Sequence, residues 1–249
     1  MAMDWQVFCR DTLTSDLVSG CLGTSRDPTY LNWIIGAWGW TAAVSLSALL
    51  LALAVGSVIG VLRTLPNNPG WARFGNVWVE LFRGIPLLVQ IFLWYHVAPA
   101  LFAPMKSLPS FVLVMLGLGF FTSARFAEQV RSGIQSLPRG QRQAGLALGL
   151  TQWQTYRYVL LPMAYRIVLP PLTSESMNLI KNSAVAFAVS IPELTQFAMQ
   201  ATEETSRPIE VYLAVTVLYI VTAGVVYLAL HWVEQRTRVP GFAVGKREH

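Results

Sequence analysis

Charge is scarce in this chain. Only 12% of its 249 residues are Asp, Glu, Lys or Arg, about half of the roughly 25% that a soluble domain carries. Such a composition cannot cover a surface that meets water on every side. Cysteine is nearly absent: Cys9 and Cys21 are the whole supply, which excludes a disulfide-dense scaffold and a thiolate metal cluster. Three histidines without a Cys or His grouping offer no metal site. A phosphate-binding G-x-x-x-x-G-K-[ST] is missing. The nearest stretch, Gly241 to Gly245 and Lys246, has three intervening residues, is followed by Arg247 and has no strand before it. No nucleophile–base set stands out. The chain is therefore expected to hydrolyse no nucleotide, to hold no cofactor or metal, and not to be an enzyme. Alternation of period two between turn signals is also lacking, which excludes a membrane β-barrel.

Apolar sequence fills the space. The chain is 54% hydrophobic, and several uncharged runs reach the roughly 20 residues that a helix needs to cross a bilayer. The reading is an all-α integral membrane protein with five transmembrane helices. They are expected near 31–62, 84–101 (led in by 74–83), 110–124, 167–189 and 211–233. Residues 1–30 form a polar segment, 31–236 the transmembrane domain and 237–249 a polar tail. No basic stretch followed by an apolar core marks a cleaved signal peptide at the start. Cys9 and Cys21 both lie in the polar segment. On an oxidising side they could close a disulfide, and two free thiols fit the sequence equally well. Gly56 and Gly60 have a spacing that lets helices pack closely, a pattern that chance also produces.

Basic residues give an orientation. With the first segment outside, Arg63, Arg73, Arg83, Arg125, Arg131, Arg139, Arg142, Arg157, Arg166, Arg236, Arg238, Lys246 and Arg247 fall inside. Only Arg10, Arg26, Lys106 and Arg207 fall outside. Thirteen against four follows the positive-inside rule, so the tail is expected in the cytoplasm. The high isoelectric point then reflects topology, and nucleic acid is not an expected partner.

The span at 167–189 is the costly one. It holds Pro170, Pro171, Glu175 and Lys181, and each charge at mid-membrane costs about 2.5–3.5 kcal/mol on insertion scales. At roughly 100° per residue, Ser174, Glu175, Asn178, Lys181 and Asn182 fall on one arc. A polar stripe in a membrane helix faces a cavity or a partner helix rather than lipid. Two readings stand. The stripe lines a solute path, with Lys181 offering a cation to a carboxylate, or Glu175 and Lys181 belong to a structural network. Glu80, Arg83 and Pro86 form a second polar knot before the span at 84–101. His96 and His231 sit near span ends and read as packing or interfacial residues.

Residues 141–162 have a fine structure of their own. A helix-forming run stops at Gly149, a residue suited to a left-handed helix end. Thr151 with Gln154 is a capping-box pattern for a new helix, and Pro162 is expected to interrupt it. Small residues (Ala144, Gly145, Ala147, Gly149) at the corner would let another surface approach. An amphipathic connector lying on lipid is the plain alternative.

This stretch resembles the signature cytoplasmic loop of permease subunits in bacterial ABC importers: E-A-A, three residues, G, nine residues, I-x-L-P. The chain has Gln143, Ala144 and Gly145, then Gly149, then Val159, Leu160, Leu161 and Pro162. Gln143 replaces the family's Glu, Gly145 its second Ala and Val159 its Ile. Glu80, Arg83, Pro86 and Gln90 resemble the E-L-x-R-x-x-P-x-x-x-Q stretch of the polar amino-acid branch, and Thr173 to Ser183 is similar to the same branch. The likeness covers about residues 36–235 and is greatest to glutamate/aspartate permeases. It implies a type I importer permease fold, with Gln143, Ala144, Gly145, Gly149, Leu161 and Pro162 as a coupling helix docked on an ATPase subunit. It implies a substrate path through Glu80, Arg83, Glu175, Asn178, Lys181 and Asn182. It also implies a bacterial inner-membrane location, a second homologous permease subunit, a periplasmic solute-binding protein, an amino-acid substrate, and ATP with Mg used by the partner ATPase. A self-sufficient ion-gradient-driven transporter with Glu175 as proton relay is the rival reading.

Overall fold

The computed structural model describes residues 3–24, 27–66 and 68–237. Arg26, Asn67, Arg238, Gly241, Gly245, Lys246 and Arg247 lie outside the described residues. Ten α-helices follow one another: α1 (Tyr30–Leu62), α2 (Pro69–Gly84), α3 (Leu87–Phe92), α4 (Ala98–Leu101), α5 (Ser110–Gln135), α6 (Arg139–Ala147), α7 (Gln152–Thr155), α8 (Leu161–Asn182), α9 (Leu194–Thr205) and α10 (Pro208–Thr237). Among the described residues there is no β-strand, only two isolated bridges near the start, Arg10 with Leu17 and Asp11 with Thr29.

Among the described residues three helices are long and apolar enough to cross a membrane: α1, α5 and α10. A fourth crossing results if α2 and Leu87–Leu101, bent at the break between them, count as one span. The break follows from sequence: Ile85 is extended (φ −101°, ψ 131°), as the residue before Pro86 must be. Five crossings were expected, and three or four meet the test. The stretch 167–189 falls short for a physical reason. It is the latter part of α8 followed by a 3-10 helix, Ser183–Val189, and Glu175 and Lys181 lower its hydropathy. Nor does the helix start at Pro170: α8 begins at Leu161 and carries Pro170 and Pro171 inside it. Pro162 does not interrupt it either. A π-helical turn, Tyr156–Leu160, precedes α8, and its wider winding carries the chain into the helix past the ring that cannot donate.

The chain forms two compact units. The first comprises Met1–Ala48, Leu87–Leu118 and Leu179–Gly224. Its core packs Tyr30, Ile34 and Ala37 of α1 with Leu194, Phe197, Ala198 and Ala201 of α9 and with Val211 and Val215 of α10. Trp33 meets Phe197 edge to face, centroids 5.1 Å apart. Two polar pairs cross this core: Trp38 Nε1 donates to Thr222 Oγ1 (2.7 Å), and Leu194 N donates to Thr41 Oγ1 (3.1 Å). Glu193 is buried and caps α9, accepting from Thr195 N, Gln196 N and Tyr219 Oη. Burial pushes its carboxyl up, against the lowering effect of these donors. At the start of the chain Cys9 and Cys21 are joined by a disulfide. Within that loop Asp11 accepts from Leu13 N (2.6 Å) and Thr14 N (2.9 Å).

The second unit comprises Leu49–Pro86, Gly119–Asn178 and Val225–His249. Gly56 and Gly60 are not chance spacing here. A Cβ on Gly56 would lie 2.6 Å from Phe126 Cβ, and one on Gly60 2.7 Å from Val130 Cβ. Backbone-to-backbone approach of α1 and α5 thus requires glycine at both places. At their ends, Arg63 donates to Glu128 (2.6 Å), which also accepts from Arg131 (3.2 Å). Trp78 of α2 packs against Phe82 and Phe120 and donates to Ser123 Oγ.

Helix α10 is exceptional in exposure. Only 6% of its apolar window is buried within the chain, against 61% for α5. An apolar helix so bare must be covered by lipid or by another polypeptide.

Candidate functional site: a docking corner and a charged cleft

The corner between α6 and α7 is built from local bonds. Helix α6 ends in a Schellman motif, with Leu150 N donating to Gly145 O (3.1 Å) and Gly149 N to Leu146 O (3.0 Å). Gly149 sits at φ +81°, a conformation that side chains with a Cβ rarely adopt. Two residues on, Thr151 and Gln154 form the full capping box, each side chain bonded to the other's backbone N–H. Gly145 is buried against α7, where an added Cβ would lie 2.9 Å from Thr155 Cγ2. That accounts for glycine at this place, where the resembling pattern has alanine.

Within the second unit, one hydrogen bond ties the corner to the end of α1. Buried Tyr156 donates to the Thr64 carbonyl (2.6 Å), just past the end of α1. Elsewhere it is open. Gln143, Ala144, Gly149 and Pro162 are exposed, and Leu161 is half-buried. Leu148 is 82% exposed, Trp153 63% and Tyr158 65%. These three side chains add a bare apolar surface that the reading of small residues missed. Their position beside a capping box was the available signal.

The second feature is a cleft of about 320 Å³ lined by Arg83, Arg125, Glu128, Gln129 and Glu175. It brings together two of the six path residues, Arg83 and Glu175. Arg125 donates to Glu175 Oε2 (3.4 Å) and stands over the Phe121 ring, 4.9 Å from its centre. The partner of Glu175 is thus Arg125 of α5, not Lys181. Arg125, Glu128 and Gln129 were missed as lining residues. Their spacing of three and four, running on from an apolar span, puts them on one helix face, which is the signal that pointed to them.

Glu80 and Asn178 belong to the same unit without lining the cleft. Lys181 and Asn182 belong to the first unit. Lys181 is exposed and makes no ion pair among the described residues. Along α8 the stripe is real: Ser174 and Lys181 are exposed, Glu175, Asn178 and Asn182 half-buried, whereas Leu172, Thr173, Ser176, Leu179 and Ile180 are buried. Thr173 and Ser176 turn their hydroxyls back to the carbonyls of Leu169 and Leu172. Pro170 and Pro171 leave the carbonyls four residues before them without a backbone donor. His231 is a packing residue, stacked on Tyr227 and 3.4 Å from Glu234.

Long apolar helices, an outward polar stripe and a bare corner between α6 and α7 are the features of a multi-pass membrane protein. Residues 52–239 match the family described as binding-protein-dependent transport system inner membrane component, and the chain belongs to that family. It is 44% identical over 229 residues to the glutamate/aspartate import permease protein GltJ of Escherichia coli (strain K12), covering 88% of this chain and 92% of the relative. It is 33% identical over 201 residues to the glutamine transport system permease protein GlnP of the same strain, covering 80% and 91%. The fold matches a chain of an amino acid ABC transporter crystallised with histidines, with a TM-score of 0.72, 28% identity and coverage of 83% of this chain and 95% of that one. Membership of a binding-protein-dependent transport family overturns the rival reading of a self-sufficient gradient-driven transporter, and its members are transport components.

Proposed function

We propose that the chain is one permease subunit of an ABC importer for polar amino acids, glutamate and aspartate foremost, in a bacterial inner membrane. The observation that carries the reading is the corner of Gln143, Ala144 and Gly149, exposed around buried Gly145, rigid by its own caps and open to a partner. An ATPase subunit, using ATP and Mg, docks there, and Leu161 and Pro162 pass its motion to α8. The bare α10 leaves apolar area for a second, homologous permease subunit. Five crossings fit the distribution of basic residues, with the N-terminus outside and the tail in the cytoplasm. The Cys9–Cys21 disulfide supports an oxidising outer side for the first segment, where a solute-binding protein would deliver substrate.

The substrate path takes in Glu80, Arg83, Glu175, Asn178, Lys181 and Asn182, with Arg125 added. An acidic amino acid carries two carboxylates and one ammonium. Arg83 and Arg125 supply charge-assisted donors to the former and Glu175 an acceptor for the latter. For a substrate to enter, the Arg125–Glu175 pair must exchange one bond for two. Membranes carrying a tagged chain, solubilised in mild detergent and affinity-purified, test the reading. A stoichiometric ATPase, together with ATP-dependent uptake of labelled glutamate by the reconstituted assembly, is expected. A chain that purifies alone would overturn it.

A further inference from the structure

A second cleft, of about 380 Å³, has no function in the account so far. It is lined by Arg63, Thr64, Ile134, Gln135, Leu137, Pro138, Arg139, Arg142, Tyr156 and Leu160. Its volume falls within the roughly 300–1,000 Å³ of small-ligand sites. Three guanidinium groups line it and no carboxylate does. Arg63 is neutralised by Glu128. Arg139 and Arg142 have no ion pair among the described residues, and the Nε of Arg142 is buried without a hydrogen-bond partner. Buried donors without acceptors are costly, so the cleft is short of an anion.

Its position narrows the anion's chemistry. Arg63 and Thr64 follow the end of α1, a helix without a charged residue, so this side of the cleft stands where an apolar crossing gives way to basic residues. Ile134, Leu137 and Leu160 supply an apolar wall beside the arginines. An ion that is all charge has no use for such a wall, whereas a phosphodiester attached to glycerol and acyl chains does. We propose that this cleft binds a phosphate ester, and that its occupant is the headgroup of an anionic phospholipid. Tyr156 lines the cleft and also bonds the Thr64 carbonyl. A bound lipid would therefore brace the docking corner against the end of α1.

Native mass spectrometry of the full chain in mild detergent tests this, after incubation with phosphatidylglycerol, with phosphatidylcholine, or with inorganic phosphate. Selective retention of phosphatidylglycerol is expected, and the double variant R139Q/R142Q should weaken it roughly thirtyfold for two lost basic contacts. Arg139→Lys with Arg142→Lys keeps the charge and should restore most of it, which guards against a folding defect. Equal retention of both lipids, or of phosphatidylglycerol by wild type and R139Q/R142Q alike, overturns the proposal. Competition by inorganic phosphate would assign the site to the free ion instead of a lipid. Loss of ATPase co-purification in R139Q/R142Q, with lipid retention unchanged, would assign the arginines to protein docking and also overturn it. Failure of the ATPase to purify with wild type would count against the importer reading and leave this result standing.

Discussion

The corner between α6 and α7 and the polar stripe of α8 lie in one run of chain, yet they hold their shape by different means. In the corner the capping bonds span five residues or fewer, from Leu150 N to Gly145 O and between Thr151 and Gln154, and Tyr156 adds a distant one to the Thr64 carbonyl. In the stripe the key partner is distant: Glu175 meets Arg125, 50 residues earlier. Lys181, Asn178 and Ser174 present polar groups outward from the chain. A surface that must transmit force has to be stiff before its partner arrives, and local caps make it so. A path that must release its solute cannot be closed by bonds within one chain. On the proposed function, the contrast is that of a transmitting element built mainly by its own caps and a conducting element that other chains complete.

The largest effects should come from breaking the contrast at either end. Ala144→Trp with Gly149→Val puts bulk on the open face and a β-branched residue at φ +81°, a conformation that favours glycine. We expect loss of ATPase co-purification and of uptake while the chain still reaches the membrane. Retained ATPase in that variant would mean that the corner is not the docking surface. At the other end, Lys181→Met should abolish uptake and leave the assembly intact, because the side chain supports nothing within the chain. Unchanged uptake kinetics would remove Lys181 from the path.

The next effect is on stability and lies outside both regions. Glu128 holds Arg63, whose side chain is 6% exposed, and Arg131 together. Glu128→Leu leaves a buried guanidinium unpaired, a loss of about 3 kcal/mol, read as a lowered thermal midpoint in detergent. Arg131→Leu touches only the half-exposed pair and should cost under about 1 kcal/mol. Equal losses would show that the burial of Arg63 does not matter.

How far the sequence reached follows the same division. Gly149 and the capping box were legible because helix ends announce themselves through residue types that few other roles require. The Gly56 and Gly60 spacing was visible, but its meaning depended on Phe126 and Val130 standing opposite. The pairing of Glu175 with Arg125 was illegible, since nothing in a separation of 50 residues encodes which charges meet. The extent of α8 was misjudged at its start, because the span was begun at 167 and Pro162 was taken as a break. A π-helical turn before that proline let the helix run on. Five crossings were counted from charge, whereas helix length and composition support three or four.

A smaller effect isolates local capping from everything else. Thr151→Ala removes one bond of the capping box and should cost about 1 kcal/mol, with a modest fall in uptake. Thr151→Ser keeps the oxygen and should restore both. If Thr151→Ala had no effect on either, the corner would owe its stiffness to Tyr156 and the end of α1 rather than to its caps.

The smallest effect concerns a second locally built element, the disulfide-closed loop of the first unit. Asp11 accepts from the backbone N–H of Thr14 and Leu13, and these bonds hold its carboxyl below the ordinary value of 3.8. A carboxylate lowered by folding stabilises the loop above its ordinary value, and that contribution is lost as pH falls through the folded value. Protease resistance of the loop should therefore hold at neutral pH and fall only below 3.8. Asp11→Asn keeps an acceptor oxygen without the titrating proton, so it should flatten that acid limb while leaving the disulfide in place. An acid limb that survives Asp11→Asn would mean that these two bonds do not hold the loop and that, unlike the corner, it is held from outside itself.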